Sequence, residues 1–131
     1  MPGRGRVVIQ IDVVVPDRPG ELGKLASLLG GAGININAIS AESGGGRSYM
    51  SLVVEQPARA RAALKQAGYE CSERTVVVVR LEDKPGSLAD LARRLGEAGV
   101  NITSVIHLET VAGNAQLAIG VDDMAKARGL V

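Results

Sequence analysis

The amino-acid sequence contains one internal repeat. When the chain is shifted by 66 residues, Asp17–Leu22 falls on Asp83–Leu88 with the same Asp-x-Pro-Gly-x-Leu pattern. Over residues 17–40, 12 of 24 positions are identical to the residues 66 places further along. Unrelated segments would share about one or two identities at ordinary residue frequencies. The chain is therefore a duplication, and a fold assigned to one copy applies to the other.

Each copy predicts the same order of elements. Runs of β-branched residues predict strands at Val7–Val15 and Thr75–Leu81, and both runs stop at a turn signal. Leucines and alanines at helical spacing predict a helix after each Pro-Gly pair, with Asp17 and Asp83 placed to cap it through a side-chain oxygen. A second strand, a hairpin turn, a third strand and a second helix follow in both copies. The order β-α-β-β-α-β is that of a ferredoxin-like unit.

The predicted fold class is α+β, with two tandem ferredoxin-like βαββαβ units whose antiparallel sheets carry their helices on one face. We expect the first unit to span residues 1–73, with residues 1–6 as a disordered tail, and the second to span 74–131. The third strands match at an offset of 67, so the second copy has one extra residue in its hairpin. We expect the second unit to lack its final strand and to be truncated. Another chain, a strand exchanged between repeats or residues outside this sequence must cover its open edge.

The junction between the two copies contains no glycine or proline. Residues from Glu70 to Leu81 therefore predict one long strand, about 40 Å if extended. We expect this strand to end the first unit and to begin the second.

Composition and charge exclude several classes of function. A net charge of +1 gives no field that would collect nucleic acid or acidic lipid. Two tyrosines, with no Phe or Trp, are too few aromatics for an RNA-binding sheet. No run approaches the roughly 20 apolar residues of a membrane span, and the N-terminus lacks a signal-peptide pattern. We expect a cytoplasmic protein without nucleic-acid or membrane partners.

Catalytic and metal-binding patterns are also missing from the sequence. The single Cys71 and the single His107 cannot form a cluster of metal ligands. The glycines match neither a dinucleotide fingerprint nor a phosphate loop. No residue is a convincing nucleophile, so we expect no enzyme activity, no cofactor and no metal.

The duplicated loop has a functional and a structural interpretation. The N-terminus of a helix offers free N–H groups and partial positive charge to a carboxylate, and the loop glycine lets a ligand reach the backbone. Asn35 and Asn101 carry amides that both donate and accept, and Asp17 and Asp83 could hold an ammonium group. An amino acid fits this set. The structural alternative is that Pro-Gly only opens the helix and that glycine only lets helix and sheet approach.

These motifs resemble those of the ACT domains, whose signature is Asp/Asn-x-Pro-Gly-x-Leu, a short helix, and Gly-Val/Ile-Asn-Ile. Here the second motif is Gly33–Ile36 in one copy and Gly99–Ile102 in the other. ACT domains are small regulatory modules, and many bind an amino acid where two of them meet. The resemblance implies a ligand held by the first strand–helix loop of one unit and the second strand of its neighbour. The residues carried over are Asp17, Pro19, Gly20, Leu22, Asn35, Ile36, Asn37, Asp83, Pro85, Gly86, Leu88, Asn101 and Ile102.

The leading hypothesis is a stand-alone regulatory protein that binds an amino acid between ACT units and signals through altered association. The alternative is a ligand-free dimerisation scaffold, or a regulatory subunit of a separate enzyme of amino-acid metabolism. Thr103 in place of Asn37, and Lys84 in place of Arg18, predict that the two sites are unequal. We expect a homodimer under either hypothesis, because an open sheet edge favours pairing.

Overall fold

The computed structural model describes residues 5–131. The elements are β1 (Arg6–Pro16), α1 (Glu21–Gly31), β2 (Ile36–Gly44), β3 (Arg47–Val54), α2 (Pro57–Gln66), β4 (Cys71–Glu82), α3 (Ser87–Glu97), β5 (Ile102–Val111), β6 (Asn114–Val121) and α4 (Met124–Arg128). They form two compact units. The first unit is Ile9–Arg74, and the second is Thr75–Val131 together with residues 5–8. Strands and helices of both units confirm an α+β class.

The first unit has the strand order β2-β3-β1-β4. β3 is antiparallel to both β1 and β2, with Ile11 opposite Leu52 and Gly44 opposite Arg47. Because side chains alternate along a strand, every second residue of β1 points to the same face, where α1 and α2 cover it. The main buried residues of this core are Ile11, Val13, Val15, Leu25, Leu29, Met50, Leu52, Ala60 and Leu64.

The second unit has the strand order β1-β4-β6-β5. β6 is antiparallel to β4 and to β5, with Val79 opposite Leu117 and Val111 opposite Asn114. Its core repeats the aliphatic pattern of the first unit on the face that α3 and α4 cover. The buried residues of this core are Val77, Val79, Leu91, Leu95, Val100, Leu117, Ile119 and Ala127.

The beginning of β1 lies beside β4 in the second unit. A Cβ atom on Gly5 would lie 2.5 Å from Val77 Cγ2 and 2.9 Å from the Val78 carbonyl oxygen, so only glycine allows this approach. From the sequence, another chain, an exchanged strand or further residues were expected to cover the open edge of the second unit. The position of β1 beside β4 corresponds to a strand exchanged between repeats. The predicted tail is wrong at Arg6, which is the first residue of β1. Residues 1–4 of the predicted tail lie outside the described residues.

The junction between the repeats is one long strand, as its lack of glycine and proline predicted. β4 runs through Cys71–Glu82. Its residues up to Arg74 belong to the first unit, and those from Thr75 onward belong to the second.

The predicted capping role of Asp17 and Asp83 is wrong. Neither α1 nor α3 has a side-chain hydrogen bond at its N-terminal cap, where Gly20 and Gly86 stand. Each helix begins four residues after the aspartate, at Glu21 in the first unit, so the carboxylate precedes the capping position. The Asp-x-Pro-Gly segment is a turn before the helix and not its first turn.

The extra residue of the second copy lies in a strand. Both hairpins have two-residue turns, since Gly44 pairs with Arg47 and Val111 pairs with Asn114. The register of β5 shifts between His107 and Glu109. The insertion is therefore a β-bulge at Leu108, which leaves the hairpin turn at its two-residue length.

Candidate functional site

The loops that join β1 to α1 and β4 to α3 share one backbone structure. In the first loop, the Asp17 N–H donates to the Gly46 carbonyl oxygen at 3.0 Å, and the Lys24 N–H donates to the Gly20 carbonyl oxygen at 2.9 Å. The second loop repeats both hydrogen bonds at 2.8 and 2.9 Å. Each loop is thus tied at one end to the neighbouring hairpin turn and at the other to the first turn of its helix.

The glycine of each loop is required by the backbone and leaves the surface open. Gly20 has φ of 90° and Gly86 has φ of 93°, in the left-handed region that favours glycine. A Cβ atom on either residue would meet nothing within 4 Å. The first N–H groups of a helix have no partner inside the helix, and no side chain caps them here. The N–H groups of Glu21 and Ser87 donate to the carbonyl oxygens of Arg18 and Lys84 at 3.4 and 3.3 Å. Both loops therefore present helix N-termini without a side-chain cap beside an accessible backbone.

The first loop contains an ion pair, and this pair was not predicted from the sequence. Arg18 Nε lies 2.6 Å from Glu21 Oε1, and Glu21 is 8% exposed. Burial raises the pKa of Tyr69, and the negative charge of Glu21 raises it further. The signal in the sequence is an arginine three residues before a glutamate that begins a helix.

The second loop carries different charges at the same positions. Lys84 replaces Arg18, and its Nζ atom pairs with Glu82 Oε2 at 3.1 Å. Ser87 replaces Glu21 as the first residue of the helix. The N-terminus of α3 therefore lacks the carboxylate that Glu21 places at the start of α1.

The Gly-x-Asn-Ile segments lie at the starts of β2 and β5. Asn35 Nδ2 donates to Asn37 Oδ1 at 2.9 Å, and both side chains are exposed. In the second unit, the Asn101 N–H donates to Asp122 Oδ1 at 2.8 Å. The Asn101 carbonyl oxygen accepts from the Asp122 N–H at 3.1 Å. The carbonyl oxygen of Asn35 likewise accepts from the Glu55 N–H at 3.1 Å. The two asparagines thus share a place in the fold, while Asn35 bonds a neighbouring side chain through its amide and Asn101 bonds one through its backbone N–H.

Most of the predicted binding residues lie on the surface. Ile36 and Ile102 are half-buried. Leu22 and Leu88 are 45% and 50% exposed, which is unusual for leucine on a helix that packs on a sheet. The remaining exposed members of the set are Asp17, Pro19, Gly20, Asn35, Asn37, Asp83, Pro85, Gly86 and Asn101.

Within one unit, the loop and the asparagine segment are far apart. The first loop follows Pro16, which lies opposite Arg47 at the hairpin end of the sheet. Asn35 precedes Ile36, which lies opposite Val54 at the other end. The length of β2 between these ends is about 27 Å. Neither half of the predicted set reaches the other inside a unit, and the register of β5 with β6 separates them in the same way in the second.

Residues 5–131 contain no group of three or more His, Cys, Asp or Glu side chains that could hold a metal ion. His107 Nε2 lies 2.8 Å from Thr110 Oγ1 at the surface. None of the helices in residues 5–131 has the length and apolar character needed to cross a membrane.

The fold is similar to that of several solved structures. A protein of Bacteroides thetaiotaomicron matches with a TM-score of 0.86 and 23% identity, over 94% of this chain and 85% of that one. The regulatory subunit of aspartate kinase from Thermus thermophilus, in a ligand-free form, matches with a TM-score of 0.67 and 24% identity, over 94% and 91%. The corresponding subunit from Thermus flavus matches with a TM-score of 0.67 and 23% identity, over 95% and 92%.

Sequence comparison identifies the family. A search of curated proteins gives no match. The family model that describes an ACT domain pair matches residues 6–131, which is nearly the whole chain. The duplicated Asp-x-Pro-Gly loops and Gly-x-Asn-Ile segments are the residues that first indicated this resemblance. The protein therefore belongs to the ACT domain family and consists of a pair of ACT domains.

Proposed function

We propose that this protein is a regulatory module that binds a free amino acid through its loops and asparagine segments, and that binding alters its association. The observation that carries the proposal is the pair of helix N-termini without a side-chain cap, each behind a left-handed glycine with open space above it. Membership of a regulatory domain family supports a role of this kind. No bond is made or broken in such a mechanism.

The chemistry of a zwitterion suits these groups. A carboxylate would accept hydrogen bonds from the first-turn N–H groups, where the helix dipole favours negative charge. The Asn35 side chain donates through Nδ2 to Asn37 Oδ1. The Oδ1 atom of Asn35 is therefore available to accept from an ammonium group. Because loop and asparagine segment lie at opposite ends of one unit, a ligand that uses both must contact two different units or two chains. Such a ligand stabilises one arrangement of units over another.

The two loops are unequal toward a carboxylate. At the first loop, Glu21 already places a negative charge at the start of α1, and Arg18 pairs with it. At the second loop, the first residue of α3 is the neutral Ser87, and the first-turn acid Asp90 lies three residues further on, where Arg93 pairs with it. We therefore expect the loop around Gly86 to bind the amino-acid carboxylate more tightly than the loop around Gly20.

A second candidate function is a regulatory subunit of a separate enzyme. The similar chains from two Thermus species are regulatory subunits of aspartate kinase, and their length is almost fully covered by this chain. A shared fold supports the same kind of role here. Under this candidate the protein acts as a homodimer on a partner enzyme, in the cytoplasm, with or without an amino acid bound.

The first experiment is a thermal melt of the full chain against the twenty amino acids. An amino acid at 100 times its dissociation constant adds about 2.7 kcal/mol of stability, or several degrees at this size. We expect a selective shift that is lost in Asn101→Ala and kept in Asn114→Ala, a change at the first residue of β6. Light scattering with and without that amino acid then measures the change in association.

A matched pair of variants tests the inequality of the loops. Ser87→Glu brings the carboxylate of the first loop to the second, and Ser87→Gln adds the same bulk without charge. We expect Ser87→Glu to weaken the response to the amino acid more than Ser87→Gln does. No selective shift by any amino acid at millimolar concentration contradicts amino-acid binding and leaves the scaffold or subunit role.

A further inference from the structure

A groove runs between α1 and α2 on the outer surface of the first unit. It has a volume of about 510 Å³ and opens to solvent. Its walls include Ser27, Leu28, Gly31 and Ala32 on one side and Ala63 and Ala67 on the other. Gln66 also lines the α2 side. Apart from Leu28 and Gln66, the lining side chains are small and leave room for another element to approach the two helices closely.

The fold does not require this groove. Ser27 and Gly31 correspond in the repeat to Arg93 and Glu97 of α3. In the second unit these long side chains lie on the helix surface, where Arg93 Nη1 pairs with Glu97 Oε1 at 3.5 Å. One domain of the pair thus carries large charged residues where the other keeps serine and glycine. The requirements of folding therefore do not explain the small residues at Ser27 and Gly31 in the first unit.

Positive charge stands at both ends of the groove. Lys24 lies one turn before the wall residues of α1, on the same helical face. Arg59 lies one turn before Ala63 on α2, and its Nη2 atom donates to the Ala32 carbonyl oxygen at 2.6 Å. Neither cation pairs with an acid within residues 5–131. The only acid of the two helices, Glu21, is buried.

We propose that this groove docks an amphipathic helix of a protein partner, with a narrow apolar ridge and acidic residues at both ends of the ridge. The distance along α1 from Lys24 to Ala32 is about 12 Å. This distance places the two acids a little more than two turns apart on the partner. Recognition of a helix in an apolar groove by spaced anchor residues is a recurring mode of peptide binding.

A second copy of this chain is a poor occupant of the groove. Two grooves that face each other bring Lys24 and Arg59 of one copy against the same cations of the other, and neither helix offers an exposed acid. The partner is therefore a different protein whose surface is acidic at this point. The proposal goes beyond amino-acid binding, because none of the loop or asparagine residues lines the groove.

The test uses the full chain and a labelled synthetic peptide of about 18 residues, long enough to form a helix. One peptide has an alanine–leucine ridge with glutamates at both ends of the ridge, and its matched control has lysines in their place. Binding is measured by fluorescence anisotropy. The chain is compared with Gly31→Glu, which imports the residue of the second repeat into the groove wall.

Gly30→Glu is the matched control variant. It adds the same charge one residue away, outside the groove walls. A Cβ atom on either glycine would meet nothing within 4 Å, so both variants keep the fold, and circular dichroism verifies this. The amino-acid response of both variants stays unchanged, which separates a failure of this proposal from a failure of the proposed function.

We expect the glutamate peptide to bind the unmodified chain, with affinity that falls as salt screens the two cations. Gly31→Glu lowers its affinity at least tenfold, and Gly30→Glu changes it little. Equal binding of the lysine peptide, equal effects of the two variants, or no binding at millimolar peptide would overturn the proposal. The proposal would also be overturned if the chain bound phosphatidylserine vesicles or single-stranded DNA more tightly than the glutamate peptide and Gly31→Glu abolished that binding. The groove would then be assigned to a lipid surface or a nucleic acid.

Discussion

Gly20 and Gly86, the residues that precede α1 and α3, adopt the same left-handed conformation, with φ of 90° and 93°. The shared feature of the two loops is therefore a backbone conformation and not a side-chain cap. The carbonyl oxygen of each glycine accepts the first hydrogen bond of its helix. This relationship fixes where each helix begins and how its free N–H groups are presented.

Replacing either loop glycine by alanine should destabilise the protein. A non-glycine residue in the left-handed region costs about 1–2 kcal/mol, so we expect Gly20→Ala and Gly86→Ala each to lower the free energy of unfolding by about that amount. Gly23→Ala is the control, because Gly23 lies inside α1 with open space around it. There alanine should stabilise the helix by roughly 0.5–1 kcal/mol. Urea denaturation measures all three, and equal effects would contradict the backbone argument.

The regular elements and the long junction strand could be predicted from local patterns. The absence of glycine and proline between Glu70 and Leu81 indicated β4, and helical spacing indicated α1 and α3. The helix start was misplaced, because Asp-x-Pro-Gly has the composition of a cap while the positive φ of Gly20 shifts the cap to the glycine. The bulge at Leu108 and the pairing partner of the beginning of β1 depend on contacts between distant segments, which a local pattern does not encode.

The residues of the candidate site could be named from the sequence, but their separation could not. The register of β2 with β3 places Asn35 at the start of β2 and the hairpin turn at its other end. Asp17 lies beside that turn, where its N–H donates to the Gly46 carbonyl oxygen. The ion pair of Arg18 with Glu21 was visible only as a spacing of three residues. The groove between α1 and α2 needed the packing of two helices that are distant in sequence.

Removing the cap of α4 should cost stability, whereas removing Asp17 should not. Asp123 Oδ1 accepts the Lys126 N–H at 3.0 Å at the start of this short helix. We expect Asp123→Ala to lower the free energy of unfolding by about 0.5–2 kcal/mol. Asp17→Ala serves as the control because its carboxylate caps no helix, and its effect should stay within about 0.5 kcal/mol. Similar losses in the two variants, measured by urea denaturation, would restore a capping role to Asp17.

A polar cluster in the first unit has apolar counterparts in the second. Asp12 accepts hydrogen bonds from Gln10 Nε2 at 3.0 Å, Ser51 Oγ at 2.8 Å and Arg74 Nε at 2.8 Å. The Gln10 Oε1 atom is buried and has no partner among the described residues. The residues at the positions of Gln10, Asp12 and Ser51 in the second repeat are Val76, Val78 and Ala118.

Removing Asp12 alone should lower the free energy of unfolding more than replacing the whole cluster does. Asp12→Val leaves the Gln10 and Ser51 donors without their acceptor, and we expect a loss of about 1–3 kcal/mol. The triple variant Gln10→Val, Asp12→Val and Ser51→Ala imports the residues of the second repeat and frees Arg74, which is part-exposed, to water. Buried polar clusters often tolerate replacement by apolar residues. We therefore expect the free energy of unfolding of the triple variant to lie within about 1 kcal/mol of that of the unmodified chain. A triple variant less stable than Asp12→Val would show that the cluster stabilises the fold.

The thiol of Cys71 should react slowly in the folded protein. Burial raises the pKa of this thiol, and the negative charge of Glu73 raises it further. The thiolate is the reactive form, so the rate of exchange with an aromatic disulfide reagent should rise at higher pH in the native protein than in guanidinium, where the midpoint is about 8.5. Coincident native and denatured profiles would contradict the shift.

Two variants separate the causes of the raised pKa of Cys71. Glu73→Gln removes the nearby charge and should lower the native midpoint, while Glu70→Gln removes an exposed charge that contributes no shift. Burial remains in both variants, so the midpoint should stay above that of the unfolded chain. Because the folded pKa is raised, the thiol's contribution to stability is complete below the unfolded pKa and is lost as pH rises through the folded value. Cys71→Ala should therefore flatten the decline of the free energy of unfolding at alkaline pH, and an unchanged decline would assign it to other groups.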